Sequence, residues 1–531
     1  MKNTTNPSPN ERTYYNAVQL SLPLNVGVCI DEDDPVYSFI EAVKEVNLSK
    51  YVKPISSNNT NSHDRGMLLK VLLFAFMDNQ RSLSTIEKLC KTDIRYMYLS
   101  NEERPSKAAF SRLTSLLTDS IEEVFYDISR HIAVDLMKID INTGYVDGTK
   151  IEANANKNTF VYRKRITNQI PKLNEKIREE IRALNREFGY SYPVKEEYAS
   201  LEVFYICQYL MEQMTALDIQ IQYGKGKKKS VMQRYYDEML KYALKLDEYE
   251  YWLSIIGSRG SCSKTDHDAT FMATKWDYYN QSGVTRACYN CQIQVSDGII
   301  VNSAVYQNPG DTQTWMPFME RFEEHYGFYP KEPVADAGYG GYDNYMYNLQ
   351  RGIDLVQKYN YFGKEKDPKF RKKIFNIENW KKNEEGYRIC PDGRVFDVYI
   401  KDVYDQPGKS LQIRQLYREA NKCEGCPFRN ECLKNKDGHK TISRNMVLEE
   451  FRKKVDENLT SESGKQLCRN RSVQAEGAFG SIKQNALFTR FTRKGMKNVE
   501  MEFLLVCLGL NFRRYHKFRT DSKPKEEPLL S

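Results

Sequence analysis

The sequence predicts an α/β protein: a mixed sheet with helices on both faces, preceded by an all-helical N-terminal domain and interrupted by a helical and a Cys-containing insertion. Three observations point there. From Val36 to about Leu136 the apolar residues follow a helical period. Between Cys291 and Tyr306 the period switches to two. Two short apolar runs, Gly144–Thr149 and Pro333–Tyr339, each carry an aspartate, Asp147 and Asp336, followed at once by small residues. A strand that ends on a carboxylate and then turns points that carboxylate at the sheet edge where ligands bind.

Taken in order, residues 1–34 form a polar lead-in and 35–138 the helical domain. Met67–Phe76 is almost wholly apolar and reads as a buried helix. Ser82 offers a hydroxyl cap to the next helix, and Glu87, three residues beyond Ser84, has capping-box spacing. Pro105-Ser106-Lys107 repeats the start signal. Two short helices joined by a turn, the second bearing Lys107 and Arg112, fit a helix-turn-helix reader of DNA, although most such pairs serve only packing. Residues 139–515 hold the sheet. Within them, 157–260 reads as an antiparallel helical hairpin whose turn is the lysine-rich stretch Gly224–Lys229.

The run Cys291–Val295, the turn pair Asp297-Gly298 and the return strand to Tyr306 make a hairpin. A helix from about Asp311 to Tyr326 follows, then the strand leading to Asp336, a helix over 342–350 and a strand over 353–357. That is the order of a ribonuclease H-like mixed sheet, in which the first and fourth strands are neighbours. Asp147 and Asp336 would then meet.

Composition sets the class. The chain has 531 residues, enough for several domains, with 40% hydrophobic and 28% charged residues. No apolar run reaches the roughly 20 residues that span a bilayer. The polar N-terminus lacks a signal-peptide core, so the expectation is a cytoplasmic, nucleoid-associated protein with 12 reduced cysteines. Net charge is +8, and between Ser481 and Thr520 nine basic residues face only Glu500 and Glu502. Such a surplus, including Arg490, Arg493 and Lys494, suits a polyanion such as DNA, or else is a solvated face. The tail, 516–531, is basic and polar.

A third carboxylate should come from a helix against the same edge. Glu476 and Lys483 are seven residues apart, two helical turns, and so share a face. Val473, Phe479 and Ile482 offer an adjoining apolar edge. Three clustered carboxylates repel by about 4 kcal/mol per pair at an effective dielectric near 20. A divalent cation relieves this, and hard oxygen ligands favour Mg²⁺ or Mn²⁺. Two such ions, roughly 3.5–4 Å apart, activate a water or 3′-hydroxyl and steady the leaving oxygen of a phosphodiester, with Lys483 at a nearby phosphate.

These residues resemble the DDE transposases of bacterial insertion sequences, over about Tyr14 to His516. Tyr145–Lys150 matches the first catalytic aspartate, Ala335–Tyr339 the second, and Glu476 with Lys483 the glutamate helix. Similar families carry Tyr-x2-Arg-x3-Glu-x6-Lys. Here the tyrosine is absent and Arg471 lies five residues before Glu476 where the signature has four; Arg471 is expected, with Lys483, among the DNA contacts. The resemblance implies metal-dependent cleavage at terminal inverted repeats and joining of 3′ ends to target DNA, by a homodimer in a synaptic complex. A ribonuclease H-like nuclease without strand transfer and a catalytically silent DNA-binding descendant are the rival readings.

Cys423-x2-Cys426-x5-Cys432, with Cys390 upstream, has spacing for a structural zinc site inside the insertion over 365–465. Cys288 and Cys291 fall on opposite faces of a strand and read as core thiols. Asp266-His267-Asp268 reads as a turn or helix cap, and Trp315 as core.

Overall fold

The computed structural model describes residues 29–52, 63–224, 226–274, 283–406, 408, 410–433 and 438–522. The expected lead-in up to residue 28, Lys225 of the lysine-rich turn and the tail beyond 522 lie outside them. The chain divides into two compact units, 1–141 with 296–301 and 504–531, and 142–295 with 302–503.

The first unit is helical. Asp64 caps the helix Arg65–Met77, in which all residues but Arg65 and Lys70 are buried. Ser82 caps Leu83–Thr92 through the Thr85 amide. The expected capping box is not formed. Glu87 instead accepts the Lys107 amide at 3.0 Å and pairs with Lys91 at 2.8 Å, because its side chain faces the start of the helix that begins at Lys107. The simple two-helix reading also needs correction. Asp93 caps an intervening helix, Ile94–Leu99, before Ser106 starts Lys107–Leu117. Residues 504–521 of the helix Met496–Asp521 complete this unit. A Cβ on Gly509 would collide with the Phe76 carbonyl, so the bare glycine lets the helices pass closely. Arg513 donates to the Phe76 and Met77 carbonyls at 3.1 and 2.7 Å, and burial draws its guanidinium down to about 10. Asn511 bonds both backbone groups of Ile300 and the Ser129 hydroxyl.

The second unit is built on a mixed sheet. Its strands are β1 (Thr143–Glu152), β4 (Thr270–Ala273), β5 (Thr285–Ser296), β6 (Ile299–Tyr306, of which residues 302–306 belong to this unit) and β7 (Glu332–Val334); β2 (Phe160–Tyr162) and β3 (Ser261–Ser263) form a separate pair. β1 pairs antiparallel with β5 from Tyr145–Val295 to Glu152–Cys288, and parallel with β7 at Thr143–Glu332, Gly144–Pro333 and Tyr145–Val334. β6 returns along β5 after Asp297-Gly298, whose φ values of +41° and +87° suit a tight hairpin turn. A parallel bridge joins Ala335 to Gln357, all that forms of the strand expected over 353–357.

Side-chain alternation separates two core layers. Val146 and Ala335 pack with Trp315, Phe318, Tyr339 and Ile353. Tyr145 and Val334 pack with Tyr345, Phe451, Val455 and Ala475. Trp315 is wholly buried, as core, and its Nε1 donates to Asn348 Oδ1 at 2.8 Å. Asn348 Nδ2 passes the bond to Gln357 Oε1, and Gln357 Nε2 donates to the Pro333 carbonyl. This buried amide relay ties β7 to the segment after it.

Residues 163–256 form three helices, Arg163–Phe188, Ser200–Ala216 and Val231–Ile256, rather than a hairpin. Gly189, at φ +68°, ends the first, and Pro193 follows in the connection. Ile177, Ile181, Val203, Leu210, Met239 and Leu246 share their core. Asp268 accepts the Met496 amide at 2.8 Å and so caps the last long helix.

Asn348→Ala would strip Trp315 Nε1 and Gln357 Oε1 of partners within a buried layer. We expect a loss on the order of 2 kcal/mol or more, read as a lower melting temperature of the full chain; an unchanged melting curve would show that the relay adds no stability.

Candidate functional site

The two aspartates follow from the register. Asp147 lies two residues past Tyr145 and Asp336 two past Val334, and Tyr145 and Val334 are paired. Alternation gives each aspartate the face of its paired predecessor, the face packed by Ala475 of the glutamate-bearing segment. Both side chains are part-buried.

That segment is not a uniform α-helix. Glu462–Arg471 is α-helical, Ser472–Glu476 is a π turn, Gly477–Gly480 is α-helical and Ser481–Asn485 is a second π turn. Each π turn spaces equivalent positions by five residues instead of four. Arg471 therefore reaches Glu476 five residues on, with Nη2 3.3 Å from Oε1, while its Nη1 stands 3.4 Å from Asp147 Oδ1. One guanidinium, 12% exposed, thus bridges the first and third acids. Ser472 Oγ donates to the other Glu476 oxygen at 3.0 Å. The π turn also changes the buried face: Val473, expected to pack inward, is 74% exposed, whereas Ala475, Ala478, Phe479 and Ile482 are buried. Lys483 Nζ donates to Thr149 Oγ1 at 2.5 Å and to the Lys150 carbonyl at 3.2 Å, beside Asp147 on β1.

Asp336 Oδ1 accepts the Gly338 amide at 2.8 Å, an Asx turn that fixes the carboxylate over its own loop. Next to it stands an acid that sequence reasoning missed. A Cβ on Gly338 would sit 3.0 Å from Asp336 Oδ1 and 3.3 Å from Asp311 Oδ2. Asp311 lies in the loop before the Trp315 helix, and only its following small, polar residues, Thr312-Gln313-Thr314, hinted at a cap or turn. Tyr339 is buried beside both. Burial pushes its hydroxyl well above the usual range, with Asp311, Asp147 and Asp336 adding to the shift and Arg471 opposing it.

Asp147, Asp336, Asp311 and Glu476 offer carboxylate oxygens here, which is the chemistry of a hard divalent cation. Among the described residues no group of three or more His, Cys, Asp or Glu side chains is arranged to hold a metal ion; Arg471 supplies the counter-charge between Asp147 and Glu476.

The remaining predicted residues are dispersed. Lys107 and Arg112 are exposed on one helix of the first unit. Arg490 donates to the Ala153 and Ala155 carbonyls at 3.2 and 2.8 Å. Burial lowers the Arg493 guanidinium, against the pull of Glu502, and Lys494 is exposed. Cys390, Cys423, Cys426 and Cys432 line one cavity of about 20 Å³ and join a small core with Trp380, Phe396 and Tyr417. All four are free thiols. Cys390 and Cys423 each open a tight turn, closed by Gly393 and Cys426 amides on their carbonyls at 2.9 and 3.5 Å.

No helix among the described residues is long and apolar enough to cross a membrane. No curated protein and no solved structure matches the chain. Two family models do. A transposase domain family (DUF772) matches residues 26–116, the helices that carry Lys107 and Arg112. A family described as a transposase DDE domain matches residues 389–516, which include Glu476, Lys483 and the cysteine cluster. With one match on each side of the aspartate-bearing strands, the two together indicate an insertion-sequence DDE transposase.

Proposed function

We propose that this chain cuts DNA at the terminal inverted repeats of its element and joins the freed 3′ ends to target DNA, with Asp147, Asp336 and Glu476 as its catalytic acids. The observation that carries this reading is the parallel pairing of Tyr145 with Val334, two residues before each aspartate, together with the Arg471 bridge from Asp147 to Glu476. The strand order β6-β5-β1-β7, followed by the Ala335–Gln357 bridge, supports a ribonuclease H-like sheet.

Asp147, Asp336 and Glu476 would hold Mg²⁺ or Mn²⁺, two ions in the full reaction, which would supply Lewis-acid stabilisation of the phosphodiester oxygens. The chain's own part is positional. The β1–β7 pairing fixes two carboxylates at one sheet edge, and the π turn delivers the third. Arg471 balances their charge in the free protein and keeps Glu476 turned towards Asp147; it acts on the acids rather than on DNA. Lys483, anchored on Thr149, offers its ammonium to a phosphate beside that edge. Lys107, Arg112, Arg490, Arg493 and Lys494 supply backbone contacts to double-stranded DNA, and two copies of the chain pair the two ends.

The Cys-containing insertion has a separate role. Cys390, Cys423, Cys426 and Cys432 would bind one structural Zn²⁺ once their thiols converge; that all four line one cavity, and that Cys390 and Cys423 each open a tight turn, supports this. The core around it is small, so metal binding would add much of its folding energy.

Asp147→Ala or Asp336→Ala should abolish Mg²⁺-dependent cleavage of an inverted-repeat substrate while DNA retention in a gel-shift assay stays within about threefold of the parent, because neither acid binds the backbone favourably; undiminished cleavage by either variant would overturn the assignment. A labelled donor end appearing in target DNA separates transposition from simple nuclease action. Metal analysis of the purified chain should find about one zinc, as four thiolates close one tetrahedral site, lost in Cys423→Ser; a parent free of zinc would end that part of the reading.

A further inference from the structure

Asp311 is held unlike an ordinary loop acid. Its Oδ1 accepts from two buried amides on β5, Asn290 Nδ2 at 2.8 Å and Gln292 Nε2 at 3.0 Å. Gln292 is itself fixed, since its Oε1 accepts the hydroxyl of buried Tyr339. It also lies over Gly148 of β1, where any Cβ would collide with its amide. The loops on either side are tied as well. Thr312 Oγ1 donates to the Gly338 carbonyl at 2.7 Å, and Asn344 Nδ2 donates to the Thr312 and Tyr339 carbonyls at 3.0 and 2.7 Å.

With Oδ1 engaged in this way, Oδ2 is the oxygen left facing Gly338, beside Asp336 Oδ1. Two carboxylates facing one position repel, and a divalent cation between them relieves that. Gly338, with no side chain, leaves the space they face open. Buried amides and a buried phenol have been committed to orienting an acid that a simple turn would not require.

We propose that Asp311 is a positioning residue of the acidic edge: clamped by Asn290 and Gln292, it adds a fourth negative charge beside Asp336 and holds that carboxylate ready for a divalent cation. This rests on the metal-dependent reading of Asp147, Asp336 and Glu476 given above. The carboxylate acts through Asp336 from outside the ligand set, so its charge should set cation affinity rather than the identity of the reaction.

The test is Mn²⁺ binding to the full chain without DNA, followed by the electron paramagnetic resonance signal of free Mn²⁺. Three variants separate charge from shape. Asp311→Asn keeps an oxygen that can accept from Asn290 and Gln292 but removes the charge; it should weaken Mn²⁺ binding about tenfold or more, the scale of outer-sphere substitutions. Asp311→Glu retains the charge and should stay within about threefold of the parent on the same scale. Asp147→Ala should lose the site. Cleavage should follow the same order, Asp311→Asn recovering as Mn²⁺ is raised. Parent-like Mn²⁺ affinity in Asp311→Asn, alongside loss in Asp147→Ala, would overturn the role of Asp311 alone. Equal weakening in Asp311→Asn and Asp311→Glu would do the same, since shape and not charge would then matter. Parent-like binding in Asp147→Ala would instead overturn the reading of the triad.

Discussion

Strand β1 is hydrogen-bonded along both edges, antiparallel to β5 and parallel to β7, and most of what the second unit does follows from that double pairing. A side-chain period of two means that one residue of slip would exchange the two faces. Val146 would then leave the Trp315 layer, Tyr145 would leave the Phe451 layer, and Asp147 would turn away from Arg471. Two unlike cores, one on each side, hold the register that aims the acid. The buried Gln292 and Gln294 amides on β5 add a second lock, because they lie over Gly148 and Gly144 of β1, where any Cβ would collide with them.

Much of this arrangement is legible in the sequence. The Asp297-Gly298 turn, the helix over 342–350 and the Ser82 and Ser106 caps rest on local signals, and the structure has them where those signals lie. The strand-end reading of the aspartates holds only for Asp336, just past β7; Asp147 sits in the middle of β1, because the pairing with β5 carries that strand on to Glu152. Other features depend on partners distant in the chain. Glu87 has capping-box spacing, yet its carboxylate goes to the Lys107 amide, twenty residues away. The middle helix of the 163–256 bundle merges with its neighbours in a periodicity reading, because the break is set by one left-handed glycine. Asp311 has no motif at all. Its place beside Asp336 arises from two loops meeting, and no spacing within either loop encodes that.

The position of Arg471 shows how a helix irregularity can be hidden in a count. In an α-helix, residues five apart diverge by a large angle, and the arginine would face away from Glu476. A π turn over Ser472–Glu476 absorbs the extra residue and restores the contact. The second π turn, over Ser481–Asn485, lies just where Lys483 bends back to β1. Irregular winding is thus concentrated at the two charged side chains that face the acidic edge, consistent with the frequent placement of π turns at functional sites.

The helical first unit draws on three separated stretches of chain, and its last contributor is residues 504–531. Gly509, Asn511 and Arg513 each bond or pack against segments made hundreds of residues earlier. On the ribosome, chain growth runs at about 5–20 residues per second and domains ordinarily fold as they emerge. This one cannot close until the helical segment from Leu504 onward has been made. A nascent chain that stops short of it would therefore carry the buried apolar helix Arg65–Met77 without its closing partner, and any activity that needs the intact unit waits for that segment.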